Sequence, residues 1–301
     1  MLSQIRSLLF APADAPRKLA KALLCGADAV IIDLEDSVAG EAKARARAGA
    51  AEFLGHARAS GVQTRLYVRI NPLTSAMWEA DLAAVMPARP DAIMLPKSLG
   101  GASVQQLGVA LAVLEARQGL ADGATRILPI ATESAAAIFG LASYIGCSKR
   151  LEGLSWGAED LSADIGAQSA RLESGAYSPL FALARAMALF AAAAAGVTPV
   201  DTVFAAFRDE AGLRADCHSA RRDGFGAKLA IHPDQIAIIN AAFTPGAEEI
   251  AQAQKIIAAF AAAPEQGVIS LGGQMLDRPH LLRAQLVLAK AAIIGQAAVS
   301  P

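Results

Sequence analysis

Charged side chains of this chain follow short apolar segments, where parallel strands would bring them together. Asp33 and Arg69 end two such segments, and Glu133 and Asp160 follow two others. Carboxylate oxygens together with water suit Mg²⁺, and an arginine binds a carboxylate group in a planar, bidentate manner. A divalent ion beside an arginine can polarise a 2-oxo acid and stabilise an enolate or alkoxide as it forms. These residue types predict a hard-cation site that faces an anion, in a metal-dependent lyase or isomerase acting on a small acid.

The polar positions also have purely structural interpretations. A carboxylate directly after a strand is often the N-cap of the next helix, and this applies to Asp36. Arg69 could form an ion pair with an acid of the preceding segment, and Lys97 could join an ion pair at the same end of the fold. His232, which precedes a proline, is interpreted as part of a loop and helix start.

Eight short apolar segments alternate with alanine-rich helical stretches along the chain. The strand candidates are 6–10, 29–33, 65–70, 92–95, 127–131, 151–156, 197–200 and 227–231. The helix candidates that accompany them are 17–24, 42–58, 104–117, 179–195, 203–222 and 232–243. Alternating units of this length favour a parallel sheet in an α/β protein, and eight of them favour a closed TIM (β/α)8 barrel. The active site of that fold lies at the carboxyl ends of the strands, where the charged candidates fall.

The last part of the chain does not continue this alternation. We predict a catalytic barrel over residues 1–244 and a C-terminal helical extension over residues 245–301. The extension holds helix candidates at 248–262 and 279–294 on either side of a turn-rich segment. Because no strand–helix unit is left to complete, we expect the extension to pack on its own barrel or on that of a neighbouring copy.

Composition excludes several classes of protein. The 301 residues carry a formal net charge of −1 without a basic block, which argues against a nucleic-acid binder. Three scattered cysteines favour a reduced compartment, and the first apolar run is too short for a secretory signal. The apolar stretch 179–197 is rich in alanine and carries Arg185, so it predicts a buried amphipathic helix rather than a membrane span. A cytoplasmic protein is expected.

Seven segments of the chain, in order, resemble those of one enzyme family. They are RSLLFAPADAPRK, GADAVIIDLEDSV, YVRINP, IMLPKS, GLSWGAEDLSADIG, DGFGAKLAIHPDQI and GQMLDRPH, and they extend from Arg6 to His280. On these segments the chain is similar to the citrate lyase β-subunit-like group of the HpcH/HpaI aldolase superfamily. The resemblance implies a TIM barrel and a Mg²⁺-dependent, reversible Claisen-type cleavage or condensation of 3-hydroxyacyl thioesters.

The resemblance also implies a role for each matching residue. Glu133 and Asp160 would ligate Mg²⁺, with Glu133 also facing the substrate, and Arg69 would bind the oxo-acid carboxylate and the developing oxyanion. Asp277 resembles the acid that some relatives supply from a neighbouring subunit as the base that forms the enolate, so the extension would close an adjacent barrel. Four further residues would hold metal-bound waters, Arg69 and the carboxylates around it: Asp33, Glu35, Asp36 and Lys97.

The substrates that the resemblance implies are malyl-, citramalyl- or citryl-CoA, cleaved into an acyl-CoA and a 2-oxo acid by a homotrimer. Three alternatives stay open: the β subunit of a citrate lyase complex acting on an acyl-carrier-protein thioester, a malate synthase or thioesterase activity in the same site, and a non-catalytic scaffold. The chain departs from the family's usual pattern at Ala13, where glycine is common, and at Thr132, where an apolar residue is common. Both departures bear on substrate identity more than on reaction type.

Overall fold

The computed structural model describes residues 5–299, in which eight parallel strands alternate with helices. The strands are β1 (Ser7–Pro12), β2 (Ala29–Asp33), β3 (Arg65–Arg69), β4 (Ala92–Leu95), β5 (Arg126–Pro129), β6 (Gly153–Ser155), β7 (Thr198–Asp201) and β8 (Ala227–Ala230). The helices are α1 (Pro16–Leu24), α2 (Lys43–Ala59), α3 (Trp78–Val85), α4 (Gly101–Arg117), α5 (Ala135–Gly140), α6 (Glu159–Asp164), α7 (Pro179–Ala194), α8 (Glu210–Asp223), α9 (Gln235–Phe243), α10 (Ala247–Ala262) and α11 (Arg278–Val299). No helix within residues 5–299 is long and apolar enough to cross a membrane.

The eight strands close into a barrel. Their order is β5-β4-β3-β2-β1-β8-β7-β6, with parallel pairing between neighbours. The two ends of this sheet, β5 and β6, are joined by two parallel bridges, Ile127 to Leu151 and Ile130 to Ser155. The predicted TIM barrel is therefore confirmed, and all eight strand candidates fall on strands of the barrel.

The strands are buried on both faces, which explains why they read as nearly continuous apolar runs. Alternate residues such as Ile31, Tyr67 and Met94 fill the interior of the barrel. The residues between them, such as Val30 and Ile32, are fully buried as well, because the helical layer covers the outer face. Since side chains alternate along a strand, Asp33 and Arg69 lie on the same interior face as Ile31 and Tyr67.

The helix boundaries differ from the sequence predictions in two respects. The candidate at 203–222 begins too early: α8 starts at Glu210, where the side chain of Asp209 accepts a hydrogen bond of 2.9 Å from the backbone N–H of Gly212. Three shorter helices, α3, α5 and α6, were not predicted, because each has eight residues or fewer and shows too little apolar periodicity.

Contacts divide the described chain into two units, residues 5–240 and the residues from 241 onward. The second unit contains, besides its helices, an antiparallel hairpin of β9 (Val268–Leu271) and β10 (Gln274–Asp277) where the sequence predicts only turns. Gly272 and Gly273 join the strands with φ of 58° and 78°, as a two-residue type I′ turn requires. The apolar side chains of Phe260, Ile269 and Leu276 pack together in this unit.

A buried ion network links the last barrel strands to α8. The fully buried Lys228 ammonium lies 2.8 Å from Oδ2 of Asp201 and 2.7 Å from Oδ2 of Asp216. Asp201 also accepts hydrogen bonds from Trp156 Nε1 at 2.7 Å and from Arg185 Nε at 3.1 Å. Each charge in this network has a partner of opposite charge. Because an unpaired buried charge is costly, the network stabilises the fold only while it is complete.

We therefore expect K228M to destabilise the protein by about 3–5 kcal/mol, because it leaves buried carboxylates without their shared cation. The midpoint of urea unfolding measures this loss. R214M is the matched control, since Arg214 and Glu210 form an exposed pair at 3.5 Å, and it should change the free energy of unfolding by less than about 0.5 kcal/mol. Equal effects of both variants would contradict the prediction.

Candidate active site at the carboxyl ends of the barrel strands

Arg69 and Asp33 form the fixed part of the site. They end β3 and β2 and are direct partners in the register of these two strands. Nε and Nη2 of Arg69 donate to Oδ1 and Oδ2 of Asp33 at 2.7 and 2.6 Å, a bidentate pair. Burial opposes the charge of Asp33, but the hydrogen bonds and charge of Arg69 outweigh it and hold the pKa of this carboxyl below its usual value. The pair with Asp33 occupies two of the five N–H groups of Arg69, and Glu35, which lies near Nη1, can occupy a third. Arg69 is therefore an ion-pair partner, as its structural interpretation predicts, but at least two N–H groups stay available to a ligand.

Asp33 also shapes the loop that follows β2. Its oxygens accept hydrogen bonds from the backbone N–H of Glu35 at 2.9 Å and of Ser37 at 3.3 Å. This folds Glu35 back toward Arg69, whose Nη1 lies 2.9 Å from Oε2 of Glu35. Asp36 is half-exposed, with Oδ2 3.9 Å from the same nitrogen. Since α2 begins only at Lys43, Asp36 is not the cap of that helix.

Lys97 connects the acids of different strands. Its ammonium lies 2.7 Å from Glu35, 3.6 Å from Asp36 and 3.7 Å from Asp160. Its backbone adopts a left-handed conformation with φ of 51°, and its backbone N–H donates to Oε2 of Glu133. The ammonium thus lies among three carboxylates, as the ion-pair interpretation of Lys97 predicts.

Glu133 is the most perturbed acid of this cluster. It follows β5 and is 4% exposed. Among the described residues, its carboxylate accepts one hydrogen bond, from the backbone N–H of Lys97. Burial raises the pKa of the Glu133 carboxyl to about 8, and the charges of Asp160 and Glu35 add to the effect. Asp160, in the first turn of α6, is partly exposed. The partly exposed Asp160 thus adds negative charge beside the buried Glu133.

This arrangement fits a hard divalent cation. Oε2 of Glu35 is buried and accepts no hydrogen bond of good geometry from the described residues, despite its proximity to Arg69. Within residues 5–299 no three His, Cys, Asp or Glu side chains are grouped as a metal site. A cation here would take Glu133 and Asp160 as ligands and complete its shell with water or substrate oxygens, as Mg²⁺ commonly does.

A cavity of 790 Å³ opens beside Arg69 and Asp33. Phe10, Lys18, Lys21 and His232 are among the residues that line it. The two lysines give the cavity a positive side, which suits an anionic ligand. His232 lies in the loop before α9, as expected from the sequence, and its ring stacks on that of Phe207 with centroids 4.7 Å apart.

Asp277 lies in the second unit, at the end of β10. Its Oδ1 is 2.5 Å from Nδ1 of His280, and both side chains are partly exposed. The other predicted site residues all come together in the first unit. They are Asp33, Glu35, Asp36, Arg69, Lys97, Glu133 and Asp160.

Known proteins resemble this chain over most of its length. A family model described as HpcH/HpaI aldolase/citrate lyase matches residues 6–233. The chain belongs to this family. The HpcH/HpaI resemblance expected from the seven sequence segments is confirmed, and the chain is an enzyme of a lyase family.

Named relatives of this HpcH/HpaI enzyme extend over nearly its whole length. A (3S)-malyl-CoA thioesterase of Cereibacter sphaeroides is 35% identical over 96% of this chain and 95% of its own. A citrate lyase subunit beta of Leuconostoc mesenteroides subsp. cremoris is 34% identical over 94% of this chain and 92% of its own. A crystal structure of protein CitE from Mycobacterium tuberculosis, in complex with magnesium, acetoacetate and coenzyme A, has a TM-score of 0.78 and 32% identity over 95% of this chain and 98% of that one.

Two features of the site in this HpcH/HpaI enzyme were not predicted from the sequence. The ring of Phe10 lies under the guanidinium of Arg69, with 4.8 Å from Cζ to the ring centroid. The hydroxyl of Thr132 contacts Gly157 across the join between β5 and β6. The position of Phe10 on the interior face of β1 was a usable signal for the first contact, whereas the second depends on barrel closure.

The raised pKa of Glu133 predicts a pH dependence of stability in metal-free protein. The unfolded carboxyl loses its proton near pH 4.5 and the folded one near pH 8, so stability falls as pH rises between these values and is constant above them. The shift corresponds to on the order of 5 kcal/mol. Urea unfolding in EDTA at several pH values measures it, and E133Q should remove this slope. A wild-type profile with the same slope as E133Q would contradict the prediction.

Proposed function

We propose that this chain is a Mg²⁺-dependent carbon–carbon lyase for a 3-hydroxyacyl-CoA thioester such as malyl-, citramalyl- or citryl-CoA. Its products would be an acyl-CoA and a 2-oxo acid, and the reaction would run in either direction. The observation that carries the proposal is the cluster in which Glu133 and Asp160 lie near Lys97 and Arg69. Arg69 itself lines the cavity that has a positive side. The magnesium, acetoacetate and coenzyme A bound by the M. tuberculosis CitE protein support this choice of metal and ligands.

The reaction separates charge in a way that these residues can accommodate. The substrate hydroxyl gives its proton to solvent water as its oxygen becomes the ketone of the oxo acid, while the electron pair of the broken C–C bond passes to the thioester as an enolate. Mg²⁺, when held by Glu133 and Asp160, supplies positive charge to the oxygens of the oxo acid. The free N–H groups of Arg69 bind the carboxylate and the developing oxyanion, fixed in direction by the bidentate pair with Asp33. Glu35 and Lys97 hold Arg69 and the acids in place.

The enolate carbon finally takes up a proton, and Asp277 of a neighbouring copy is the proposed donor. In this arrangement the extension closes an adjacent barrel, and the assembly is a homotrimer. D277N should then lower turnover while leaving the binding of Mg²⁺ unchanged. E265Q is the matched control, because Glu265 is exposed in the same unit. Full turnover by D277N would exclude this role, and the mass of the assembly in solution tests the trimer.

The proposed activity can be tested with a condensation panel analysed by mass spectrometry. Purified protein is mixed with acetyl-CoA or propionyl-CoA and with glyoxylate, pyruvate or oxaloacetate, in Mg²⁺ or in EDTA. A single adduct that forms only with Mg²⁺ would support the lyase and identify its substrate. No product from any pair, with no binding of Mg²⁺, would contradict the proposal and favour a non-catalytic scaffold.

Two other activities have specific support from relatives. The (3S)-malyl-CoA thioesterase of C. sphaeroides favours hydrolysis in the same site, and its mark in the panel is free CoA released together with a hydroxy acid. The citrate lyase subunit beta of L. mesenteroides favours an acyl-carrier-protein thioester. A blank panel from protein that still binds Mg²⁺, together with co-purifying partner subunits, would favour that alternative.

A further inference from the structure

We propose that the hydroxyl of Thr132 is a positioning group that closes the barrel between β5 and β6 and so fixes Glu133 relative to Asp160. The inference rests on the proposed function in one respect, namely that these two acids hold Mg²⁺. Thr132 itself contacts neither the metal nor the substrate in this proposal. It acts through Gly157, which packs against Glu133 and precedes Asp160 by three residues.

The join between β5 and β6, here called the seam, has no continuous ladder. β1 and β2 pair over five consecutive residues and β7 and β8 over two, whereas two separate bridges link β5 to β6. Toward the site, the described backbone hydrogen bonds across the seam end with Ala131 N–H to the carbonyl of Ser155 at 2.8 Å. Beyond that point the main chains need another group to hold them together.

The Thr132 side chain supplies that group. Its Oγ1 accepts a hydrogen bond from the backbone N–H of Gly157 at 3.1 Å and lies 3.4 Å from the carbonyl oxygen of the same residue, to which it donates. Thr132 is fully buried, so water does not compete for the hydroxyl. A valine of the same shape would leave the N–H of Gly157 without this acceptor.

Gly157 connects the seam to both acids, to one by packing and to the other along the chain. A Cβ atom at Gly157 would lie 2.8 Å from Cγ of Glu133, so the Glu133 side chain rests directly against the glycine backbone. Two residues later α6 begins, and Asp160 is in its first turn. A displacement of Gly157 therefore changes both the packing of Glu133 and the direction of Asp160.

The test compares T132V, which keeps the shape and removes the hydroxyl, with T132S, which keeps the hydroxyl. Isothermal titration calorimetry of the full chain with MgCl₂ should give a Kd about tenfold or more higher for T132V, as for other residues that orient metal ligands, and within about twofold of wild type for T132S. T125V is the matched control, because Thr125 is buried just before the other end of β5. It should leave the Kd unchanged even where it lowers stability.

Hydrogen exchange provides a second measurement that needs no metal. The amide of Gly157 should exchange about tenfold faster in T132V than in wild type, in line with the loss of one buried hydrogen bond, and at the wild-type rate in T125V. If T132V does not fold, T132A replaces it in both measurements.

The outcomes separate this inference from the proposed function. Wild-type protein that binds no Mg²⁺ would defeat the metal part of the proposed function, and the exchange rate of Gly157 would then decide whether Thr132 closes the seam. An unchanged exchange rate in T132V would overturn the inference. So would a Kd for Mg²⁺ that is equal in T132V and wild type, or equally weakened in T132V and T132S.

Discussion

E133Q is expected to lose the binding of Mg²⁺ and the metal-dependent reaction while the protein stays folded. The amide carries no charge and offers a single oxygen, so the affinity for Mg²⁺ should fall by at least about a hundredfold. Turnover should fall by at least about a hundredfold with it, because the oxyanion loses its main stabilising charge. Titration calorimetry and the condensation assay measure the two losses.

The burial of Glu133 adds a prediction about stability to the expected loss of function. The pKa of Glu133 is raised to about 8, so at pH 8 and above the metal-free protein carries the cost of a buried charge that the glutamine removes. E133Q in EDTA should therefore be at least as stable as wild type. E159Q is the matched control, since Glu159 is exposed beside Asp160. This variant should change neither the affinity for Mg²⁺ nor the stability in EDTA. Retention of Mg²⁺ affinity in E133Q would contradict the assignment.

R69K is expected to reduce kcat/KM by about a hundredfold or more, although it keeps the positive charge. Lysine cannot form the bidentate pair of 2.6 and 2.7 Å with Asp33 and reach Glu35 at the same time, because its three N–H donors converge on one atom. The group that faces the oxyanion would lose its direction, and losses of this size are typical when one oriented donor is removed.

One measurement and one control variant distinguish this effect from a general loss of stability. The affinity for Mg²⁺ should change far less in R69K than in E133Q, because Arg69 is not a proposed ligand. R47K is the matched control: Arg47 forms a similar ion pair of 2.6 Å with the buried Asp81, outside the cluster of predicted site residues. R69K with the kinetics of wild type would show that charge alone suffices at this position.

The sequence is most informative about the site where strand periodicity and register act together. Asp33 and Arg69 end two apolar segments, and parallel pairing then places them side by side. The same reasoning brings Lys97 and Glu133 to one end of the barrel, because Lys97 comes two residues after β4 and Glu133 four residues after β5. The sequence does not predict the roles of these residues in the same way. Their hydrogen bonds, and the pKa of Glu133 that results, depend on burial that periodicity does not specify.

Other features depend on tertiary structure that local patterns do not contain. The hydroxyl of Thr132 gains its partner only when β5 meets β6, which are distant ends of one sheet until the barrel closes. The β9–β10 hairpin was missed because its strands have four residues each and are largely exposed. α6 was missed for a related reason, since six residues are too few to show a helical period.

The left-handed backbone at Lys97 restricts how this site can diverge in evolution. Glycine and asparagine adopt φ near +51° most readily, yet neither has an ammonium to place 2.7 Å from Glu35. Arginine keeps a charge but bears the same backbone strain as lysine. Relief of the strain by glycine or asparagine therefore removes the cation that joins the acids, and arginine keeps a cation without relieving the strain. The position is thus held between two opposing requirements, a left-handed backbone that directs an amide at Glu133 and a long cationic side chain.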